Sequence, residues 1–169
     1  MKKLTTIILL IMTLNVFAPE LSKKQTESKE LVKQNQRDYN KLMSSDFNED
    51  NLRELLKLLN VGHVDIVVNQ ARLETGWYSS NLFKNHNNLF GMGYASNRKS
   101  YAYEYTIADN GRKVASYRSW QSSVLDFVAY LKYYESLGNS INDYYSFLED
   151  VGYCEKDSYV SILKKMTRQ

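Results

Sequence analysis

The stretch Gln70–Trp77 reads QARLETGW, and Asn88–Met92 follows it further along the chain with the sequence NLFGM. The first stretch places an acidic residue, Glu74, at the end of an apolar helical run, close to Gly76 and Trp77. A helix C-terminus carries partial negative charge and apolar neighbours exclude water, and both effects oppose ionisation of a carboxyl group. We therefore expect Glu74, packed against Trp77, to keep its proton near neutral pH, where it can protonate a leaving group. The alternative is an exposed glutamate at a helix end with no chemical role.

The apolar periodicity around Glu74 predicts a mainly α-helical domain. Apolar residues recur at spacings of three and four, which is the pattern of a helix with one buried face. Gly76 is well placed to end its helix in a left-handed cap. Asparagines crowd residues 81–88, which is typical of a loop that follows a short helix. A short helix is predicted shortly after residue 78. The other predicted helices run from a cap at Asp46 or Asn48 to about Val61–Gly62, from His63 to Thr75, from a cap at Ser119 or Ser122 to about Gly138, from Ile141 to Leu148, and from Ser158 to Met166.

One β-hairpin is predicted between the helices. Residues 101–106 place tyrosine at every second position, which is the period of a strand, and Val114–Arg118 is suited to the return strand. Asn110–Gly111 is a typical pair for a two-residue hairpin turn. With these two residues at the centre of the turn, Glu104 should pair with Tyr117, and the tyrosines should lie on the opposite face.

Composition and charge fit one compact domain with a short leader. The chain has 169 residues, a net charge of +3, one proline and seven glycines, and these values favour helices over a many-turned β fold. The 14 tyrosines suit a sugar-binding groove, but they also suit ordinary half-buried positions. The lysines are scattered, with no basic run interleaved with aromatic residues, so we expect no nucleic-acid partner. The protein is also expected to be a monomer.

Potential metal ligands are few. Cys154 is the single cysteine, and His63 and His86 are the two histidines. An intrachain disulfide or a cysteine zinc site is therefore impossible, and we expect neither a metal nor another cofactor.

The first residues resemble an export signal. Residues 1–18 combine two lysines with a short apolar core and end at Ala18, whereas residues 19–45 are too polar to form a core. We expect a signal peptide over 1–18, a polar tether or loosely docked helix over 19–45, and the functional domain over 46–169. Pro19 disfavours cleavage after Ala18, so an uncleaved N-terminal anchor is the alternative. Either way the protein is expected to be exported.

Glu104 is the second candidate acid. It lies among tyrosines on the predicted strand, where packing does not require a charge. Most glycosidases use two carboxyl groups that flank the scissile bond, and Glu104 is a candidate partner for Glu74. The alternative is an ordinary exposed residue of a strand.

Four segments resemble the glucosaminidase domain family, which includes bacterial peptidoglycan β-N-acetylglucosaminidases and mannosyl-glycoprotein endo-β-N-acetylglucosaminidase-like domains. The resemblance spans about residues 50 to 167. In the last segment Tyr153 and Tyr159 match the family pattern, whereas the residues between them, beginning with Cys154, depart from it. The segments are Val67–Trp77, Asn87–Met92, Tyr117–Phe127 and Gly152–Tyr159.

The resemblance implies a lysozyme-like α fold with a cleft between a helical lobe and a small β lobe. Glu74 matches the catalytic acid of the family, and Glu104 matches less closely an acidic residue of the β lobe. Residues that would shape the cleft or contact sugar are Trp77, Asn88, Phe90, Gly91, Tyr94, Tyr101, Tyr103 and Tyr153.

The sequence thus predicts an exported endo-β-N-acetylglucosaminidase-type glycosidase. Glu74 would protonate the oxygen of the β-1,4 bond after N-acetylglucosamine in peptidoglycan or a related glycan. Glu104 or the acetamido group of the substrate would serve the second step. Two alternatives remain open: a wall-binding module without catalysis, and a lytic transglycosylase on the same fold.

Overall fold

The computed structural model describes residues 23–24, 26–95, 101–108, 110–154 and 158–168. The chain divides into two compact units, Met1–Ser44 and Ser45–Gln169. In the first unit residues 26–43 form helix α1, which lies within the segment predicted as a tether or loosely docked helix. The predicted signal peptide, residues 1–18, lies outside the described residues. Within the described part of the chain, none of the helices has the length and apolar character needed to cross a membrane.

The second unit is mainly helical with one two-stranded antiparallel sheet. The fold class predicted from the sequence is therefore confirmed. Helix α3 packs against α2 and α7, and α7 also contacts α6. In chain order the elements are α2 (Glu49–Leu58), α3 (Val64–Glu74), α4 (Asn81–His86), β1 (Glu104–Ile107), β2 (Lys113–Ser116), α5 (Trp120–Ser136), α6 (Tyr144–Asp150) and α7 (Tyr159–Thr167).

Polar side chains decide where the helices begin. The Asn48 side chain accepts the backbone N–H of Asn51 at 2.8 Å, so Asn48 caps α2. Ser119 accepts the backbone N–H of Ser122 and caps α5. The helix predicted from Ile141 begins instead at Tyr144, because the Asp143 carboxylate caps it by accepting the backbone N–H groups of Tyr145 and Ser146. That prediction was wrong at both ends, since α6 continues to Asp150.

Helix α3 ends in a Schellman motif immediately after Glu74. Gly76 adopts φ +53°, and its N–H donates to the carbonyl of Leu73 at 3.3 Å. The N–H of Trp77 donates to the carbonyl of Arg72 at 2.7 Å, which completes the motif. The predicted left-handed cap is confirmed, and it fixes Glu74 as the last residue of the helix.

The hairpin has a different register from the predicted one. Glu104 pairs with Ser116, not Tyr117, and the ladder continues to the pair of Ile107 and Lys113. The N–H of Ala108 donates to the carbonyl of Arg112 at 2.9 Å, so these two residues extend the ladder by one pair and three residues connect them. A three-residue loop normally places its last residue in the left-handed region, and Gly111 has φ +79°. The prediction assumed a two-residue turn and was therefore wrong by one position.

The loop that contains NLFGM is fastened to the free edge of β2. Gly93 forms a bridge with Val114, and the N–H of Ala115 donates to the carbonyl of Met92. The buried Asn88 amide joins the two segments: it donates to the carbonyls of Met92 and Ala115 and accepts the N–H of Met92. Phe90 is buried below the loop and stacks on Phe127 of α5, with ring centroids 4.1 Å apart.

Replacement of Asn88 should destabilise the domain. Asn88→Ala leaves the carbonyl of Ala115 and the N–H of Met92 without their Asn88 partner, whereas the carbonyl of Met92 keeps the N–H of Ala115. We therefore expect the free energy of unfolding to fall by about 3 kcal/mol. Urea denaturation followed by circular dichroism measures this loss. Asn85→Ala is the control, because Asn85 is exposed on α4 and its loss should change stability by less than about 0.5 kcal/mol. Equal stability of the two variants would contradict this role of Asn88.

Candidate active site

Glu74 lies between a tyrosine hydroxyl and a glycine backbone. It is half-buried, and the hydroxyl of Tyr159 donates to its Oε1 at 2.6 Å. Its Oε2 approaches Gly91 so closely that a Cβ atom built there would lie 2.6 Å from this oxygen. Gly91 also has φ +60°, so both the backbone conformation and the space favour glycine. Residues distant in the sequence thus hold the two oxygens of Glu74.

The tyrosine beside Glu74 remains a hydrogen-bond donor over the whole physiological pH range. Burial raises the pKa of the Tyr159 hydroxyl far above its ordinary value, and the charge of Glu74 and its hydrogen bond raise it further. Burial and the charge of Glu74 also raise the pKa of Tyr153, whose hydroxyl donates to the carbonyl of Phe90. Glu74 therefore faces neutral phenol groups.

These surroundings have opposing effects on the Glu74 proton. The C-terminal end of α3 and partial burial favour the protonated form. The hydrogen bond from Tyr159 favours the carboxylate, because an O–H donor binds a negative oxygen more strongly. That Glu74 holds its proton near neutral pH stays a prediction.

Glu74 lines a cavity of about 660 Å³, a size that suits a small ligand. Among the described lining residues, Glu74 and Arg112 are the two that bear formal charge. The aromatic side chains of the wall offer flat apolar faces, which suit the faces of sugar rings. The aromatic lining residues are Phe90, Tyr94, Tyr130, Tyr133, Tyr134 and Tyr153.

The structure brings some of the predicted site residues together. Phe90, Tyr94 and Tyr153 line the cavity with Glu74, and 42% of Tyr94 is exposed. Phe90 is 1% exposed, so its ring serves mainly the core. Asn88 is equally buried, and its amide is engaged with the backbone, which gives it an internal role and not the predicted contact with substrate.

Trp77 does not provide the expected apolar cover for Glu74. It is 65% exposed, and the guanidinium of Arg72 lies 5.0 Å from its ring centroid. The Schellman motif reverses the chain after Glu74 and places Trp77 outside the set of residues that line the cavity. A contact between Trp77 and a longer substrate stays a prediction.

Glu104 lies exposed on the hairpin and is not among the described residues that line the cavity. A hydrogen bond with the Glu104 carboxylate raises the pKa of the Tyr103 hydroxyl. Tyr103 is itself exposed, with the guanidinium of Arg118 5.5 Å from its ring centroid. The structure therefore does not bring Glu104 and Tyr103 to the cavity that contains Glu74.

Sequence reasoning missed several residues of the cavity wall. Tyr130, Tyr133 and Tyr134 all line it from α5. Their spacing of three and four residues places them on one face of the helix, and this signal was present in the sequence. Arg112 was missed because a single arginine after a turn has no pattern that distinguishes it from a solvated residue.

A network of charged and polar residues holds the end of α3 in place. The guanidinium of Arg72 donates to both carboxylate oxygens of Glu49 on α2, at 2.8 and 2.7 Å. The Tyr78 hydroxyl donates to the same carboxylate at 2.9 Å. Partial burial opposes the ionisation of Glu49, but the hydrogen bonds from Arg72 and Tyr78 outweigh it and lower the pKa of Glu49. The network links α2 to the residues on both sides of Glu74.

No group of three or more His, Cys, Asp and Glu side chains suited to a metal ion occurs within the described part of the chain. Cys154 lines the cavity as a half-buried free thiol.

Three solved structures are similar to the chain. A peptidoglycan hydrolase from Sphingomonas sp. A1 is 22% identical with a TM-score of 0.46, and the match covers 63% of this chain and 74% of that one. The catalytic domain of the autolysin Auto from Listeria monocytogenes is 23% identical with a TM-score of 0.48, with coverage of 79% and 82%. A type VI secretion system effector–immunity complex from Pseudomonas protegens is 17% identical with a TM-score of 0.51, with coverage of 69% and 81%. These similarities concern the fold alone.

A carboxyl group that faces an aromatic cavity of sugar size on a mainly helical scaffold is compatible with a site that acts on glycans. The glucosaminidase family, described as mannosyl-glycoprotein endo-β-N-acetylglucosaminidase, matches residues 49–169, and the chain belongs to this family. The predicted family is therefore confirmed. No curated protein sequence matches the chain.

Buried tyrosines should make the fold sensitive to alkali. Unfolded tyrosines ionise near about pH 10, whereas burial holds the pKa of Tyr144 and Tyr159 above that value in the folded chain. Their contribution to stability is fully present below about pH 10 and is lost as the pH rises, because the unfolded chain then releases protons that the folded chain retains. Because the unfolded hydroxyl is only partly ionised around about pH 10, Tyr159→Phe should reduce the total decline in the free energy of unfolding between about pH 9 and about pH 11 by about 1.4 kcal/mol, a mean slope of about 0.7 kcal/mol per pH unit.

Urea denaturation between about pH 9 and about pH 11 measures this slope. Tyr105→Phe is the control, because Tyr105 is 44% exposed and its removal should leave the slope nearly unchanged. Identical slopes for the Tyr159 variant and the unmodified chain would contradict the buried state of this hydroxyl.

Proposed function

We propose that the chain hydrolyses the β-1,4 bond after N-acetylglucosamine in peptidoglycan, with Glu74 as the general acid. The observation that supports this role best is the placement of Glu74 at an aromatic cavity with Tyr159 bound to one of its oxygens. Membership in the glucosaminidase family supports the choice of the bond. The predicted export of the chain supports a substrate in the cell wall.

The hydrogen bond of Tyr159 indicates which oxygen of Glu74 donates the proton. A protonated carboxyl group has one carbonyl-type oxygen, which is the better acceptor, and one hydroxyl oxygen. Because Tyr159 donates to Oε1, the proton belongs on Oε2, the oxygen beside Gly91. The general acid then protonates the glycosidic oxygen from the side of the NLFGM loop. Departure of the leaving sugar leaves Glu74 as a carboxylate that the Tyr159 hydroxyl stabilises.

The second chemical role falls to the acetamido group of the substrate. Glu74 is the single carboxyl group among the described residues that line the cavity, and Glu104 stands exposed on the hairpin. In substrate-assisted glycosidases the acetamido oxygen attacks the anomeric carbon, and water then opens the cyclic intermediate. The Glu74 carboxylate, formed in the first step, accepts a proton from that water, and this restores the acid. One enzymatic carboxyl group suffices for this sequence.

We also propose that the chain is exported and acts at the cell wall. The basis is the pattern of residues 1–18 together with the family, whose substrates include peptidoglycan.

Removal of the acid should abolish hydrolysis and leave the fold intact. Glu74→Gln cannot donate a proton, and we expect the release of reducing ends from purified peptidoglycan to fall by about a thousandfold. Glu149→Gln is the matched control, since Glu149 is an exposed residue of α6, and its rate should not change. Glu104→Gln should lose less than about tenfold if the acetamido group acts as nucleophile, whereas a loss comparable to that of Glu74→Gln would assign Glu104 the second step.

Mass spectrometry of the products separates the competing functions. Reducing N-acetylglucosamine ends are expected for the proposed hydrolase. Anhydro sugar ends would show a transglycosylase, and binding to the wall without soluble fragments would show a module without catalysis. Either result would overturn the proposed function.

The close approach of Gly91 to Glu74 provides an independent test of the site. In Gly91→Ala the new Cβ would lie 2.6 Å from Oε2, so the carboxyl group must move, and φ +60° adds about 1–2 kcal/mol of strain. We expect hydrolysis to fall by about a hundredfold, because a displacement of this size misaligns the acid.

Gly138→Ala is the control for the strain alone, since Gly138 has φ +92° with open space around its Cβ position. It should lose stability but retain its rate per folded molecule. A fully active Gly91→Ala variant would exclude Oε2 as the oxygen that donates the proton.

A further inference from the structure

The segment 81–118, which contains α4 and the hairpin, concentrates the positive charge of the chain. It has six Lys and Arg residues but two Asp and Glu residues, so its net charge is +4, whereas that of the whole chain is +3. Its described cations are all exposed and form no ion pair with any other described residue. They are Lys84, Arg112, Lys113 and Arg118, and we call them the basic band.

Two exposed tyrosines of the hairpin hold two of these cations in place. Nζ of Lys113 lies 4.5 Å from the ring centroid of Tyr105, and the guanidinium of Arg118 lies 5.5 Å from that of Tyr103. Tyr103 and Tyr105 are two residues apart in extended chain, so their side chains lie on the same face. A cation above an aromatic ring is attracted to it without losing its charge. The rings therefore fix the positions of both charges and leave them available to an anion.

The basic band is elongated. Lys113 begins β2 and Arg118 follows its end, and at about 3.3 Å per extended residue they are up to about 17 Å apart. The carbonyl of His86 accepts a backbone N–H just after β2 at 2.9 Å, which places the last turn of α4, with Lys84, beside that end. Arg112 directly precedes Lys113 at the other end. A compact anion would meet one or two of these charges, whereas a linear polymer with a charge on each repeat can meet all of them.

We propose that the basic band binds a linear anionic polymer of the cell wall whose charges are phosphodiester groups, and that it thereby holds the chain beside the glycan. Arg112 connects the band to the cavity, because it also lines the cavity wall. One face of each tyrosine ring is occupied by a cation, which suits a polymer without bases better than a nucleic acid, whose bases stack on open rings. The location of the polymer in the wall rests on the proposed function, but its binding does not require cleavage.

The salt dependence of binding tests the inference and counts the contacts. The full chain is titrated with purified poly(glycerol phosphate) at salt concentrations from about 50 to about 200 mM. Four phosphate contacts with a flexible chain give a slope of about −0.7 each, so the affinity should fall about fiftyfold over this range. In the double variant Lys113→Gln with Arg118→Gln the slope should be halved, which leaves a loss of about sevenfold, and the affinity at low salt should be about tenfold weaker.

Lys164→Gln with Lys165→Gln is the matched control. Nζ of Lys164 lies 5.1 Å from the ring centroid of Tyr145, so this exposed lysine also lies over a tyrosine, and the double variant removes the same charge from α7. Its slope and affinity should equal those of the unmodified chain. Equal weakening by the two double variants would show a response to net charge alone and would overturn the inference, as would the absence of binding at low salt.

Other ligands identify the source of the phosphate groups. Tighter binding per phosphate to a single-stranded oligonucleotide, or to phosphatidylcholine vesicles containing phosphatidylglycerol, would overturn the assignment to a wall polymer. Walls stripped of phosphodiester polymers by hydrofluoric acid should retain less of the chain than untreated walls, and the hairpin double variant should show no such difference. Equal retention of the unmodified chain by both kinds of wall would also contradict the inference. Failure of the proposed function is distinct, since the chain would then bind the polymer but release no sugar ends.

Discussion

The contact between Glu74 and Gly91 is the constraint on which the site depends. A carboxyl oxygen lies where any other residue at position 91 would place its Cβ atom, so the acid fits only because the loop passes it as bare backbone. The contact also requires the loop to stay in place. Asn88 provides this by bonding to Met92 and to Ala115 of β2, and Phe90 provides it by stacking on Phe127. The same short segment therefore packs in the core of the domain and determines the position of the acid.

The end of α3 must also be fixed if Glu74 is to stay in contact with the loop. The Schellman motif makes Glu74 the last helical residue, and the Glu49 carboxylate holds Arg72 and Tyr78 on either side of it. The partial burial of this ion pair reduces the competition from water. Tyr159 then reaches Oε1 from α7, a helix that packs against α3. The two oxygens of the carboxyl group thus have different surroundings, which gives a general acid a defined side from which to donate its proton.

Local signals predicted the fold well, and long-range contacts explain most of what they missed. The cap at Asn48, which was one of two candidates, and the left-handed Gly76 depend on residues close in sequence, and these predictions are confirmed. The hairpin register depended on one extra loop residue, and a Gly after an Asn fits a two-residue and a three-residue loop equally well. Trp77 was assigned to the cleft because it matches the family pattern and follows Glu74 closely in sequence, but the chain reverses after the helix and leaves Trp77 exposed, outside the described cavity wall. Tyr159 and Arg112 come to the site through tertiary packing, which periodicity does not record.

The distribution of charge in the cavity follows from the same packing. Burial keeps the pKa of Tyr153 and Tyr159 far above the physiological range. These hydroxyls therefore stay neutral in the folded domain near neutral pH. The described wall then contains one carboxyl group, Glu74, whose charge would change during the proposed reaction, and one permanent cation, Arg112.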